Sequence, residues 1–347
     1  MRIRSLLRGL LPGGGAVVAG LLVLGVGLTL SGYDGPAALG AMYRGAFGTR
    51  DAVLSALLPR AIPLILVGLG IALSFKAGAL NIGAEGQFYA GAVVATWVGL
   101  ALGSWPRLLA VPTVLVAGLA AGSAWAAVPA LLRLRFGVLE VISTLLLNFV
   151  ADAGVSWMVQ GPLQESSHNY PQSDPLPLAA RLPGLAGTRL HLGLVLAIVL
   201  PITLWFLGRR SLPGLQLRAT GLNPSAAEVM GGVSTRWVFG VALVGSGALA
   251  GLAGATEVSG TTFALFQNLS PGYGFTGIAV ALLARLDPLG TVVTGLLFAG
   301  LEAGASAMQR EAGVPAVAVY MVEATITIVV LLGDVARRRQ LALFAGT

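Results

Sequence analysis

The chain has 347 residues, 56% of them hydrophobic and 10% charged, with 49 glycines, no cysteine and a formal net charge of +7. Soluble domains carry about 25% charged residues, so the composition is that of an integral membrane protein, and its apolar runs have helix length rather than the ~10-residue alternation of barrel strands. Absent cysteine excludes disulfides, thiolate metal sites and cysteine nucleophiles; the positive charge does not indicate nucleic acid, because the basic residues sit at the ends of apolar runs.

Arg2, Arg4 and Arg8 precede a first apolar run over 16–30, read as an uncleaved helix because no small-x-small cleavage site follows it. Residues 31–52 are mixed in character and read as external. Further membrane helices are predicted over 53–75, 83–103, 108–132, 138–159, 191–207, 237–255, 274–286, 289–308 and 314–332. The 274–286 run is too short to span alone. Five prolines (Pro162, Pro171, Pro175, Pro177 and Pro183) mark 161–189 as the longest external loop, and 209–236 is polar and basic. Ten crossings with both termini cytoplasmic put twice as many Lys and Arg inside as outside, as the positive-inside rule requires. The expected fold is therefore an all-α polytopic bundle of about ten crossings, a single transmembrane domain over 1–347, with 209–236 as a cytoplasmic loop.

Two interruptions stand out. Residues 74–88 lie between apolar runs yet hold the only lysine, Lys76, together with Asn81, Glu85, Gln87 and three glycines. Non-helical backbone at membrane depth survives only where protein buries it or water reaches it, and an ionisable residue there is a functional candidate. A second break falls at Pro271–Gly277, in a comparable place if the chain is two five-helix halves. An odd number of crossings per half would invert one relative to the other, and paired breaks of this kind mark a transport site near the midplane.

Asn81 and Glu85 are four apart and share a face if helical. They either line a polar path for a hydroxylated solute or cap a half-helix, and Gln87 fits either role. Thr144 and Asn148, also four apart, fit interhelical hydrogen bonding as well as a pathway. Glu257 and Glu302 should face protein or water, with no role assigned. Gly118/Gly122, Gly247/Gly251 and Gly300/Gly304 have the GxxxG spacing of close helix packing. In 209–236, the run from Arg218 to Glu228 reads as a turn followed by a short helix capped by Asn223, with Pro224 as its first residue; it fits either a docking element or an ordinary ordered loop.

Enzyme motifs are absent. The sole lysine follows Phe75 rather than the glycine of a P-loop, the two histidines, His168 and His191, are too far apart for a zincin pair, and no nucleophile elbow occurs. Any ATP that drives this protein must be bound by another chain.

Three stretches resemble the permease subunits of ABC importers of the simple-sugar and branched-chain amino acid group: Phe75-Lys76-Ala77-Gly78 through Asn81-Ile82-Gly83-Ala84-Glu85-Gly86-Gln87; Gly137 through Thr144 with Asn148; and Ser270-Pro271-Gly272-Tyr273-Gly274-Phe275-Thr276-Gly277 through Leu283. The segment around Arg218 to Glu228 is similar to that family's cytoplasmic coupling segment. It departs at Leu222, where an acidic residue often precedes the asparagine. The Asn-Ile-Gly-Ala-Glu-Gly-Gln form resembles the nucleoside-type branch. The resemblance implies alternating access without covalent chemistry or cofactor, a second permease subunit that is often a paralogue, a cytoplasmic ATPase and an external solute-binding lipoprotein. It implies pathway residues at Asn81, Glu85, Gln87 and Asn148, and ATPase coupling through Arg218, Asn223, Pro224 and Glu228. Permeation of a simple sugar or amino acid by the same kind of permease, or secondary transport, are the alternatives.

Overall fold

The computed structural model describes residues 18–315 and a few further positions up to 328. The predicted helix over 314–332 falls almost wholly outside the described residues. Among those residues the chain is helical, with no strand and two isolated β-bridges. Six helices are long and apolar enough to cross a membrane: residues Ala52–Lys76, Arg107–Phe136, Glu140–Gln160, Gly193–Arg210, Thr235–Thr262 and Pro288–Ala312. Three of the predicted crossings fall short in length or hydropathy. Val18–Leu30 and Tyr273–Leu283 are shorter helices, the latter rising only about 16 Å, and residues 84–101 carry Glu85 and Gln87 in their first turns.

The chain divides into two compact units. In residues 1–57 and 297–347, α1 (Val18–Leu30) leads through a tight turn into α2 (Gly35–Phe47). The helix α2 lies within 31–52, where no helix is predicted from the sequence. Its start signal is local: Asp34 caps it, accepting from the Ala37 N–H at 2.9 Å, and Pro36 occupies the first turn. On the far side of the unit, the Gly300/Gly304 pair lets the helix carrying it lie against α2, because a Cβ at Gly304 would come within 2.7 Å of the Met42 carbonyl oxygen. Arg44 and Glu311 close the same contact with an exposed ion pair at 2.8 Å.

Residues 58–296 form the second unit. A π-helical turn, Ala52–Leu57, precedes α3 (Leu58–Lys76). There follow α4 (Ala84–Ala101), α5 (Arg107–Phe136), α6 (Glu140–Gln160), α7 (Gly193–Arg210), α8 (Leu212–Leu222), α9 (Pro224–Gly231), α10 (Thr235–Glu257), α11 (Tyr273–Leu283) and the first turns of α12 (Pro288–Ala312), whose residues from Leu297 on belong to the first unit. Burial ranks them: 78% of the apolar window of the α3 span is enclosed by protein, against 17% of that of α7. Thus α3 is surrounded and α7 is peripheral. Around α10, which packs on α3, α4 and α5, the two GxxxG motifs face each other. A Cβ at Gly122 would meet the Gly251 Cα at 2.7 Å, and one at Gly251 would meet the Gly122 nitrogen at 2.8 Å. Only glycine on both helices permits that approach. A bulkier residue on either side would push α5 and α10 apart.

The predicted loop 161–189 is irregular and is strapped onto the segment after α10. Ser173 N–H donates to the Leu265 carbonyl at 2.8 Å, Leu176 N–H to Phe263 at 2.7 Å and Leu182 N–H to Ser259 at 2.8 Å. The Arg181 guanidinium lies 4.6 Å from the centroid of the Phe263 ring. Hydrogen bonds from Gln172 and Ser167 hold the Glu165 carboxyl below the usual carboxylate range.

Candidate functional site

The break between α3 and α4 is built from short-range bonds. The end of α3 closes when Ala77 and Ala79 N–H donate to the Ser74 carbonyl, each at 3.0 Å, and Gly78 takes φ +81°, the left-handed geometry that glycine accepts without strain. Residues 79–83 then run without helical bonds, and α4 begins at Ala84 with Gly83 as its cap. Asn81 therefore lies in non-helical backbone, so the shared helical face with Glu85 that their spacing would give in a helix does not form.

All four sequence-derived pathway residues are buried, and their polar groups bond within the protein. Asn81 and Gln87 form a reciprocal amide pair at 2.8 and 3.0 Å. Asn81 also donates to Ser246 Oγ of α10 at 2.9 Å and accepts from the Gly83 N–H at 2.9 Å. Asn148 of α6 spans the break, accepting from the Gly86 N–H at 2.8 Å and donating to the Ile82 carbonyl at 2.9 Å. Thr144, one turn earlier on the same face, accepts from the Ile82 N–H at 3.3 Å and donates to the Glu140 carbonyl at 2.6 Å. The Ile82, Gly83 and Gly86 backbone groups at the break thus find side chains, as irregular backbone inside hydrocarbon requires.

Glu85 points away from this cluster, toward the second break. Its carboxylate accepts from the Gly274 N–H at 2.5 Å, and the Ser270 hydroxyl also bonds it. Ser270 accepts from the Tyr273 N–H at 2.9 Å as well, so the start of α11 is held by a hydroxyl and a carboxylate. Glu85 sits in the first turn of α4 and against the first turn of α11, where the positive ends of two helix dipoles favour a negative charge. Both broken helices therefore meet at one carboxylate, with Gly274 small enough to admit it: a Cβ there would come within 2.7 Å of Glu85 Cβ. Ser246 and Ser270 are hydrogen-bond partners of Asn81 and Glu85 that the sequence does not single out; nothing local marks the pairing, since each bonds a residue far along the chain.

A second buried polar chain lies beneath the strapped loop. His191 Nδ1 accepts from the Gly193 N–H at 3.2 Å, which leaves Nε2 to face Thr261 Oγ1 at 3.3 Å. Thr261 bonds Glu257, and Arg60 of α3 lies nearby. Burial lowers His191 to about 4 from its ordinary 6.5, so the ring is neutral at physiological pH. Glu257 is buried, as expected, and sits where α10 passes into a π-helical turn, Val258–Thr262.

At the other end, the coupling candidates form an elbow of two short helices. Residues 218–222 belong to α8 rather than to a turn. Asn223 does cap α9, accepting from the Ala226 N–H at 3.0 Å, and Pro224 is its first residue. Glu228 accepts from the hydroxyl of Thr235, which fastens α9 to the start of α10. Gly221 presses on the carbonyl of Lys76, so α8 touches the residues where the break begins. Leu222 and Val229 project outward, 87% and 86% exposed. Among the described residues no cluster of three or more metal-ligating side chains occurs.

A multi-pass helical protein that buries two facing helix breaks in a hydrogen-bonded core has the build of a membrane transport component. The chain belongs to the family of permease components of branched-chain amino acid transport systems, whose model matches residues 53–331. It is 35% identical over 333 residues to a glucose ABC transporter permease protein of Haloferax volcanii, covering 93% of this chain and 87% of that one. It is 35% identical over 321 residues to a guanosine ABC transporter permease protein of Bacillus subtilis, covering 91% of each. A nucleoside ABC transporter permease protein of Lactococcus lactis is 32% identical over 275 residues, 76% of this chain and 75% of that one. No solved structure gives a significant match. The chain is thus a multi-pass membrane permease component, and ATP hydrolysis lies in a separate subunit.

Proposed function

We propose that the chain is the permease subunit of an ATP-driven importer of nucleosides. The observation that carries the substrate class is the guanosine permease relative, matched over 91% of both chains, with a second nucleoside permease alongside it. The glucose permease relative at the same identity keeps a sugar importer as the second reading.

In this reading a solute-binding lipoprotein delivers the solute from outside, and a cytoplasmic ATPase docks on the elbow of α8 and α9. Leu222, Val229 and the groove beside Asn223 suit such docking, since large exposed apolar side chains mark interaction surfaces. Arg218, Asn223, Pro224 and Glu228 shape that elbow. A second permease subunit, a paralogue, completes the assembly. Ten crossings in two inverted halves, with both termini and 209–236 cytoplasmic and 161–189 external, accommodate both breaks at midplane depth. Motion of the elbow reaches the first break through Gly221 and Lys76. Asn81, Glu85, Gln87 and Asn148 then exchange their internal bonds for bonds to the passing solute. Each polar group left unsatisfied in between would cost about 1–3 kcal/mol, so the closed state persists until the ATPase acts.

Uptake of labelled guanosine, glucose and free ribose, in cells with and without the gene, tests the proposal. Deletion should abolish guanosine uptake and leave the sugars unchanged. Loss of glucose uptake alone would overturn the nucleoside assignment and favour the sugar reading; co-purification with an ATPase separates both from secondary transport.

A further inference from the structure

Where α3 ends and α12 begins, α7 and α8 enclose a polar pocket of about 260 Å³, lined by Lys76, Arg209, Arg218 and Asp287 among others. Three cations face one carboxylate. That carboxylate is already engaged: Asp287 Oδ1 accepts from the Leu289 and Gly290 N–H groups at 3.0 and 3.1 Å to cap α12. Its Oδ2 lies 3.7 Å from Arg209, too far for a hydrogen bond. Lys76 spends one proton on the Leu286 carbonyl at 3.1 Å, and an ammonium has three. The pocket therefore carries about two positive charges beyond what Asp287 balances. Lining residues Lys76, Leu204, Gly208, Gly214, Leu217 and Pro288 also border a second, apolar crevice of about 350 Å³. That crevice continues between α3 and α10 past Leu69, Leu73, Val241 and Gly245. A cationic mouth at the end of three membrane helices, opening onto an apolar slot that runs toward the middle of the span, has the polarity of a phospholipid.

We propose that these joined cavities bind one anionic glycerophospholipid, its phosphate among Lys76, Arg209 and Arg218 and part of an acyl chain in the crevice. Arginine and lysine groups grip phosphate oxygens with charge-assisted hydrogen bonds, and basic pockets between membrane helices are suited to anionic headgroups. A free phosphate would use only the mouth and would leave the apolar slot without purpose. The bound lipid ties α8, through Arg218, to the end of α3 beside the Gly221–Lys76 contact. It would steady the elbow in its present position.

The test is native mass spectrometry of the purified full-length chain exchanged into phosphatidylglycerol or phosphatidylcholine with the same acyl chains. Wild-type protein should retain one phosphatidylglycerol at least ~10-fold better than phosphatidylcholine. Arg209→Gln with Arg218→Gln should remove that preference, and Arg218→Lys should keep most of it. Arg210→Gln, which changes charge outside the pocket, should leave it intact. Val241→Trp, which fills the crevice from an exposed position, should weaken retention of phosphatidylglycerol. Equal retention of the two lipids, or a preference unchanged in the double variant with an unaltered melting temperature, overturns the site. Complete displacement of phosphatidylglycerol by inorganic phosphate, with Val241→Trp behaving as wild type, assigns the pocket to the free anion and overturns the lipid.

Discussion

The break around Asn81 and the elbow around Asn223 interrupt the same bundle in opposite ways. The first is enclosed: Asn81, Gln87, Thr144, Asn148 and Ser246 are all buried and bond one another or the freed backbone. The second is open: Leu222 and Val229 face outward, and single caps such as Asn223 hold its short helices. Irregular backbone inside a membrane protein must be satisfied in full, because no solvent can substitute. Irregular backbone at the surface needs only enough bonds to present a face. The elbow meets the break most closely where Gly221 lies against the Lys76 carbonyl.

The largest effect should come from the enclosed region. Asn148→Ala leaves the Gly86 N–H and the Ile82 carbonyl without their partner, at about 1–3 kcal/mol for each buried group. The melting temperature of the purified chain should fall by several degrees; an unchanged melt would remove Asn148 from the clamp. Next comes Glu85→Gln. The amide oxygen still accepts from Gly274 N–H, but without the charge that two helix N-termini favour. A charged bond exceeds a neutral one by about 1 kcal/mol, so uptake should drop roughly fivefold while the protein inserts normally. Wild-type uptake would deny Glu85 a part in the pathway.

The smallest effect is a pH dependence at the strapped loop. His191 has its folded value lowered to about 4 from 6.5. Stability that rests on the neutral ring is complete above about 6.5, and it declines as pH falls from there toward 4, because the unfolded chain takes up the proton first. Proteolysis within 161–189 should accelerate over that window, and His191→Gln should flatten the dependence. An identical profile in the variant would place the sensitivity elsewhere.

Much of this was legible in the sequence because it is local. Polar residues crowded into 74–88 mark a break wherever they occur, and Asn223-Pro224 reads as a helix start from the two residues alone. The GxxxG pairs announced close packing, and α5 and α10 supply it to each other. Pairings across long separations were not legible. Glu85 finds Gly274 189 positions away and Asn81 finds Ser246 165 positions away, and no local pattern encodes such partners. The helix α2 was missed for a different reason. Its apolar run is short and is interrupted by Arg44, although Asp34 and Pro36 were a sufficient start signal. The spacing of Asn81 and Glu85 gives a shared face only if both are helical, and the left-handed turn at Gly78 ends α3 before Asn81.

The most direct measurement is ATP hydrolysis and guanosine uptake, side by side, in proteoliposomes holding the assembled importer with Gly221→Val. Gly221 has no positive φ, so valine adds bulk against the Lys76 carbonyl without backbone strain. Gly154→Val, where a Cβ would meet nothing within 4 Å, serves as the control. If the elbow drives the break through that contact, Gly221→Val keeps most of the hydrolysis and loses most of the uptake, and the control keeps both. Uptake that stays at the wild-type level in Gly221→Val would contradict the account.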